Sequence, residues 1–184
     1  MGNADQTRER LVAAARAAFC EAAYSSVSLR RIARAAEVDV ALISRYFGGK
    51  RGLFEAVLDE AFDWPALRDP ARDPVEVALE KYANPLTDDV QVASTRMIVV
   101  NAGDPEVGDL LRARLRKTVF APLLDRLGGP EAAPNLAMMV AVVLGAATVR
   151  HILRLPGMAE QGEAAYAAQL RHLIDAAMDY RPKG

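Results

Sequence analysis

Apolar residues recur along this chain with the spacing of an α-helix, and no stretch shows the strict alternation that indicates a β-strand. Leu11, Ala15 and Phe19 lie four residues apart, while most charged residues around them fall at other positions, as a helix with one buried face requires. Pro and Gly clusters separate further helical patterns over residues 75–82, 90–101, 106–127, 134–155 and 162–180. The pattern therefore predicts an all-α protein.

Two very short amphipathic segments lie between the first helix and residue 50. The first follows Ser28, whose hydroxyl can accept a hydrogen bond from a free amide of the first helical turn, and it buries Ile32. The second follows Asp39, buries Ile43 and ends at a pair of glycines. Two short helices joined by a tight turn match a helix-turn-helix motif, in which the second helix enters the major groove of DNA.

Charge is distributed unevenly, although the chain as a whole carries a net charge of -1. Residues 1–54 hold nine Lys and Arg against five Asp and Glu, whereas residues 55–184 hold fourteen against nineteen. A basic N-terminal quarter indicates an anion-binding module joined to a part with another task. The same arginines could instead form a solvated helix face, which charge alone does not exclude.

The second short segment directs four residues away from its buried face. Arg45 can bond a guanine edge through two parallel hydrogen bonds, and Val40 and Ala41 are small enough to contact a thymine methyl group. The base-reading candidates are Val40, Ala41, Ser44 and Arg45. Hydroxyls, cations and helix amides suit phosphates better, where they fix position without reading sequence. The phosphate-binding candidates are Ser28, Arg30, Arg31, Tyr46, Lys50 and Arg51.

About the first 60 residues resemble the DNA-binding domain of TetR-family transcriptional regulators. The apolar, aromatic and lysine positions in register with that family are Ile32, Ala33, Ala36, Val38, Ile43, Tyr46, Phe47, Gly48, Lys50, Leu53 and Phe54. Two positions depart from the family pattern. Glu37 lies in the turn where the family usually has glycine, so the turn would hold a strained residue or adopt another geometry. Ser44 stands where many members have a tyrosine that contacts DNA.

The resemblance implies a helix-turn-helix DNA-binding domain over residues 1–50, with a connecting helix four over about residues 50–63. It further implies a helical effector-binding and dimerisation domain over residues 64–184. By the same resemblance, the protein would be a ligand-responsive repressor. Two-fold symmetry would then place two recognition helices ~34 Å apart, which predicts a palindromic operator.

Dimerisation also has support from the residues themselves. The helices predicted near 134–155 and 162–180 are rich in Ala, Val, Leu and Met, so the surface left after one face is buried would remain apolar. A two-helix face of this kind suits an isologous four-helix interface between two copies. Alternatively, both helices lie at the centre of a single chain.

The effector pocket is predicted from aromatic and Met residues, which suit adaptable apolar sites. The candidates are Phe62, Trp64, Tyr82, Met97, Val100, Phe120, Met138, Met139, Val142 and, as a polar contact, His151. Arg96 and Asn101 are further candidates for polar contacts. As a set these residues predict an apolar or amphipathic effector, although the same residue types at helical spacing also occur as ordinary core.

Catalytic and metal-binding chemistry find little support. His151 and His172 are the two histidines, and neither has a Cys or carboxylate at ligand spacing. The sequence shows no phosphate-binding glycine loop or nucleophile elbow, and Cys20 has the pattern of a small core residue. We therefore expect no enzyme activity, cofactor or metal. A polar N-terminus without a signal peptide predicts a cytoplasmic protein that does not enter the membrane.

The leading hypothesis is a homodimeric, sequence-specific DNA-binding transcriptional regulator that responds to a small molecule. One alternative is a helical small-molecule carrier or enzyme with a non-functional DNA-binding domain, which would show only non-specific DNA affinity of ~10⁻⁴ to 10⁻⁶ M. A second alternative is an architectural DNA binder without an effector.

Overall fold

The computed structural model describes residues 3–83 and 88–181, and the regular structure within these ranges is helical, without a β-strand. The helices are α1 (Asn3–Glu21), α2 (Leu29–Ala35), α3 (Ala41–Phe47), α4 (Lys50–Phe62), α5 (Pro65–Arg68), α6 (Pro74–Ala83), α7 (Asp88–Asn101), α8 (Gly108–Leu115), α9 (Ala121–Arg126), α10 (Ala133–Ala147) and α11 (Glu163–Asp179). The predicted all-α class is confirmed.

The predicted helices are present with small differences at their ends. Single π-helical turns at Arg116–Phe120 and Thr148–Leu153 interrupt the helices predicted over 106–127 and 134–155. The region after residue 63, predicted as a break, contains the short helix α5. Pro65 opens that helix, and its missing N–H costs nothing there because the first amides of a helix have no partner within it.

The chain forms two compact units. The N-terminal unit consists of the described residues up to Asp63 together with Arg96–Leu115, and the C-terminal unit consists of Trp64–Thr95 together with the described residues from Arg116 onwards. The predicted division into a DNA-binding and an effector domain stays a prediction. In packing, however, residues 96–115 belong with the N-terminal helices, although their place in the sequence did not indicate this.

An aromatic cluster forms the centre of the N-terminal unit. The ring of Phe19 lies 5.7 Å from that of Tyr24 and 5.0 Å from that of Phe54, measured between centroids. Leu11 and Leu53, on the helices α1 and α4 that also carry Phe19 and Phe54, are completely buried. Helices α1 and α4 pack against each other, α2 packs on α1, and α3 packs on α4. The two helices of the helix-turn-helix therefore pack on the pair formed by α1 and α4.

The C-terminal unit is built on α6, α10 and α11. Asn135 near the start of α10 donates hydrogen bonds to the carbonyls of Met178 and Tyr180 at the end of α11, so the two helices run in opposite directions. Helix α11 also packs against α6, where Arg171 donates two hydrogen bonds to Glu76 at 2.7 and 2.8 Å. These contacts hold the three helices side by side.

Residues Pro130–Leu153 form a helical stretch that is long and apolar enough to cross a membrane by length and composition alone. Only 22% of its most apolar part is buried within the chain. Large apolar side chains are exposed on this stretch and on α11, among them Met138 at 57% and Leu173 at 43%. Apolar side chains left exposed on neighbouring helices are typical of surfaces that contact another molecule.

Candidate nucleic-acid interface

The turn between α2 and α3 is a Schellman motif, which closes a helix with two specific backbone hydrogen bonds. The amide of Val38 donates to the carbonyl of Ala33 at 3.0 Å, and the amide of Glu37 donates to the carbonyl of Arg34 at 3.1 Å. The motif requires a left-handed residue, and Glu37 has a φ of 54°. Glycine adopts this conformation without a Cβ penalty, so the expectation of a strained residue at Glu37 is confirmed.

The two short helices turn their apolar faces inward as predicted. Ile32 and Ile43 are completely buried. A carboxylate oxygen of Asp39 accepts a hydrogen bond from the amide of Ala41 at 2.7 Å, which fixes the start of α3. Ser28 stands at the N-cap position of α2, but its side chain makes no capping hydrogen bond. The predicted capping role of the Ser28 hydroxyl is therefore wrong, and the exposed side chain faces solvent instead.

The corner between α3 and α4 depends on glycines. Gly48 closes α3 with a φ of 71°, and its amide donates to the carbonyl of Ser44 at 2.9 Å. Gly49 follows with a φ of 122°. A Cβ atom on Gly52 would lie 1.9 Å from the carbonyl oxygen of Phe47, so the first turn of α4 approaches α3 as closely as only glycine allows. The requirement for glycine at position 52 is not apparent from the sequence, because it comes from contact between two helices.

The four base-reading candidates lie on the exposed side of α3 and its N-cap. Ala41, Ser44 and Arg45 are exposed, and Val40 is 38% exposed. Residues three and four positions apart share one side of a helix, so Val40 with Ser44 and Ala41 with Ser44 and Arg45 form one surface directed away from the buried Ile43. Its small side chains and its arginine are residue types that can contact the edge of a base pair.

Three of the phosphate-binding candidates contact other side chains of the protein. Arg31 forms an ion pair with Glu21, and Arg51 lies 3.4 Å from a carboxylate one helical turn further along α4. The ammonium nitrogen of Lys50 lies 4.3 Å from the centroid of the Tyr24 ring. Both ion pairs are largely exposed, and exposed pairs are worth only ~0–1 kcal/mol, so a phosphate could replace either carboxylate at small cost.

The other three phosphate candidates lie at the surface of the motif. Ser28 and Arg30 are exposed, and Tyr46 is partly buried with its ring 6.4 Å from that of Phe47. The structure adds a cation that the sequence analysis missed: the guanidinium of Arg8 lies 5.4 Å from the Phe47 ring centroid at the end of α3. Arg8 belongs to α1, so no local pattern could have connected it with α3.

The ten effector-pocket candidates divide between the two units. In the N-terminal unit are Phe62, Met97 and Val100, and in the C-terminal unit are Trp64, Tyr82, Phe120, Met138, Met139, Val142 and His151. The rings of Trp64 and Tyr82 meet edge to face with 6.0 Å between centroids. Met97 and Met139 are buried, whereas Met138 is mostly exposed.

A lysine outside the predicted pocket set lies beside the aromatic pair in the C-terminal unit. The ammonium nitrogen of Lys81 is 3.2 Å from the centroid of the Trp64 ring. Burial lowers the pKa of Lys81 to about 7 and raises the pKa of Tyr82. In the described part of the chain, no group of three or more His, Cys, Asp or Glu side chains could hold a metal ion.

A short recognition helix, a closed turn before it and exposed polar and small residues on its outer side define a helix-turn-helix DNA-binding protein. Residues 11–57 match the family model of bacterial regulatory proteins of the tetR family. Residues 75–177, more than half of the chain, match the model of the tetracyclin repressor-like C-terminal domain. The chain therefore belongs to the TetR family of DNA-binding transcriptional regulators.

Two curated relatives are similar in the N-terminal part alone. The chain is 39% identical over 57 residues to the probable HTH-type transcriptional regulator YttP of Bacillus subtilis, which is 31% of this chain and 28% of that protein. It is 45% identical over 51 residues to the HTH-type transcriptional regulator BetI 2 of Chromohalobacter salexigens, which is 28% of this chain and 25% of that protein. The chain thus matches about a quarter of the length of these relatives.

Solved structures are similar over nearly the whole chain. A TetR-family regulator from Streptomyces coelicolor is 24% identical with a TM-score of 0.55, covering 95% of this chain and 98% of the other. A putative TetR-family regulator from Mesorhizobium loti is 18% identical with a TM-score of 0.62, covering 96% and 97%. HlyIIR, a hemolysin II transcriptional regulator, is 18% identical with a TM-score of 0.61, covering 97% and 100%. At these identities the likeness shows the fold alone.

Proposed function

We propose that this protein is a homodimeric transcriptional repressor that binds a palindromic operator and leaves it when a small apolar or amphipathic molecule binds. The observation that carries the proposal is the exposed surface of Val40, Ala41, Ser44 and Arg45 on a helix whose two ends are fixed by hydrogen bonds, from Ala41 to the Asp39 carboxylate and from Gly48 to the Ser44 carbonyl. The protein would work in the cytoplasm, where the DNA and the effector are both accessible.

Base reading and phosphate binding are assigned to different residues. Arg45 would bond a guanine edge, so Arg45→Ala should cost ~1–3 kcal/mol and relax specificity mainly at one base pair. Lys50 would contact a phosphate, so Lys50→Ala should weaken binding to every sequence and reduce the salt slope by ~1. Each variant removes one positive charge, which makes the two a matched pair. An equal loss on all sequences for both variants would contradict the assignment.

The dimer would form through the helices near 134–155 and 162–180. Support comes from exposed apolar side chains on α10, on the π-turn that follows it and on α11, namely Met138, Leu153 and Leu173. An isologous contact would cover the same surface on both copies. It would also set the distance between the two recognition helices at ~34 Å, one turn of DNA.

The effector would act by preferring one of two conformations of the protein. In the free protein α4 would hold the recognition helices at the spacing of the operator, and the bound effector would shift α4 and change that spacing. A release of ~100-fold requires about 2.7 kcal/mol of coupling between the two ligands. The aromatic pair of Trp64 and Tyr82 supports an effector with apolar surface.

The test is selection of bound duplexes from a random DNA pool, followed by titration of the winning duplex and a random duplex at two salt concentrations. We expect a palindromic winner bound at least ~10³-fold more tightly than random DNA. Binding without a consensus sequence would support the alternative of an architectural DNA binder without an effector. Only non-specific affinity of ~10⁻⁴ to 10⁻⁶ M would instead support a carrier or an enzyme with a non-functional DNA-binding domain.

A further inference from the structure

The connection between α1 and α2 is held in place by two polar side chains from a distant part of the chain. Asn101, the last residue of α7, is completely buried in the N-terminal unit. Its side-chain oxygen accepts a hydrogen bond from the amide of Tyr24 at 2.7 Å. Its side-chain nitrogen donates to the carbonyls of Phe19 at 2.8 Å and Met97 at 3.0 Å. Both amide hydrogens are thus used, so Asn101 serves the backbone rather than the effector contact considered from the sequence.

These bonds satisfy backbone groups that a helix end leaves open. The carbonyl of Phe19 belongs to the last turn of α1, where carbonyls have no partner within the helix. The amide of Tyr24 opens the single 3₁₀ turn that follows. Buried backbone groups without a partner are costly, so Asn101 fixes the exit of the chain from α1.

Asp104 extends the same anchor by one residue. One carboxylate oxygen accepts a hydrogen bond from the amide of Ser25 at 3.0 Å. The other accepts from the amides of Glu106 at 2.9 Å and Val107 at 3.3 Å, which fixes the local turn before α8. Burial alone would raise the pKa of Asp104, but these amide hydrogen bonds lower it below its ordinary value. The carboxylate therefore has two separable tasks: it fixes the turn before α8, and it holds the amide of Ser25.

The anchored segment leads directly into the helix-turn-helix. The 3₁₀ turn ends at Ser26, and α2 begins at Leu29. Fixing the amides of Tyr24 and Ser25 therefore fixes the direction in which the chain enters α2, and through the Schellman turn the direction of α3.

We propose that Asn101 and Asp104 are positioning residues for DNA binding, which hold α2 and α3 in the orientation that reads the operator. This inference rests on the proposed DNA binding, because it assigns a role within that function. Neither residue touches DNA in this role. Their effect is on the fraction of molecules whose recognition helix is oriented for base contact, and a smaller fraction lowers the apparent affinity in proportion.

Asp104→Ser separates the two tasks of the carboxylate. A serine hydroxyl accepts hydrogen bonds from amides two and three residues further on, so the turn to Glu106 and Val107 is kept. The shorter side chain gives up the bond to Ser25. The matched control is Asp109→Ser, which removes a carboxylate from the same segment. The side chain of Asp109 is fully exposed, and within the described residues its ion pair is with the half-exposed Arg112.

The two variants should change operator affinity in opposite directions, although each removes one negative charge. Removing a carboxylate from a DNA-binding protein tightens binding to any sequence, since less negative charge faces the phosphates. We therefore expect Asp109→Ser to bind DNA as well as the unaltered protein or better. Asp104→Ser should instead bind the selected operator about fivefold more weakly, with its affinity for random DNA unchanged or increased.

Hydrogen exchange of the free protein supplies a second measurement. We expect the Ser25 amide to exchange about tenfold faster in Asp104→Ser and at the ordinary rate in Asp109→Ser. If Asp104→Ser does not unfold cooperatively, Asp104→Asn replaces it, since this side chain has nearly the same shape and one acceptor oxygen fewer. Its operator affinity should fall in the same direction by a smaller factor.

The outcomes are distinct. Equal operator affinity of Asp104→Ser and Asp109→Ser, or unchanged exchange at Ser25, would overturn the positioning role while leaving the proposed function intact. A parallel loss on operator and random DNA would also overturn it, since general destabilisation, unlike orientation, acts on both. Failure of the unaltered protein to select any duplex would overturn the proposed function and this inference together.

Discussion

Gly52→Ala tests how closely the recognition helix is joined to the rest of the N-terminal unit. An alanine Cβ at this position would lie 1.9 Å from the carbonyl oxygen of Phe47 and 3.0 Å from its carbonyl carbon. Contacts of this type are comfortable at ~3.4 Å or more, so the two backbone segments must separate by about 1.5 Å. Both opposing atoms belong to the backbone, and no side-chain rotation can relieve the overlap.

The magnitude follows from two opposing effects. Overpacking against an unyielding neighbour costs about 3 kcal/mol, at the upper end of the usual range. Alanine recovers about 1 kcal/mol through its better helix propensity. We therefore expect a net loss of about 2 kcal/mol, which lowers the Tm by about 4–8 °C for a chain of this length.

Thermal unfolding followed by circular dichroism measures this loss, with Gly103→Ala as the matched control. A Cβ on Gly103 would meet no atom within 4 Å, and its φ is not left-handed. Gly103→Ala should therefore leave the Tm unchanged or raise it slightly through the unfolded state. Operator binding by Gly52→Ala should fall as well, because the displaced corner carries α3. If the Tm of Gly52→Ala equals that of the control, close contact between Gly52 and the Phe47 carbonyl does not limit this corner.

Three further changes test other features of the structure. Glu37→Gly should raise the free energy of unfolding by about 1 kcal/mol, because it removes the strain of a left-handed non-glycine residue. Ala35→Gly, at the last residue of α2, should lower it by a similar amount. Denaturant unfolding measures both changes, which should have opposite signs. Tyr166→Phe should leave stability unchanged or raise it by about 1 kcal/mol, because the buried hydroxyl has no hydrogen-bond partner in the described ranges, and a clear loss would mean that it has one. Lys81 has a pKa lowered to about 7 in the folded protein, so the unfolded chain binds more protons above that pH and stability should increase from pH 7 to 9; Lys81→Met should abolish this increase in pH-dependent melting curves.

Local patterns in the sequence predicted the parts of the site that depend on neighbouring residues. The spacing of Ile32 and Ile43 indicated two short helices with inward faces, and both residues are buried. The absence of glycine at Glu37 indicated either a strained residue or another turn geometry, and the left-handed backbone of Glu37 shows that the first is present. Such features follow from the geometry of one helix or one turn, which a few consecutive residues determine.

Contacts between distant residues were not predictable in this way. The sequence marked Ser28 as a cap through its residue type, but the structure leaves the side chain without a capping bond. Arg31 and Lys50 were both predicted to bind phosphate, yet Arg31 pairs with Glu21 and Lys50 lies over the ring of Tyr24. Neither partner is in the same helix as its cation, so residue spacing carries no information about the pairing.

Helix period, turn chemistry and charge are local properties, so they were enough to predict an all-α chain with a helix-turn-helix near its N-terminus. The packing of residues 96–115 with the N-terminal helices is visible in the folded chain alone, as is the hydrogen bond by which Asn101 supports the backbone at Tyr24, 77 residues away. A buried asparagine in a helical pattern looks the same whether it meets a ligand or a helix end. The packing of distant segments decides which of the two it meets, and the residue pattern within one segment does not predict that packing.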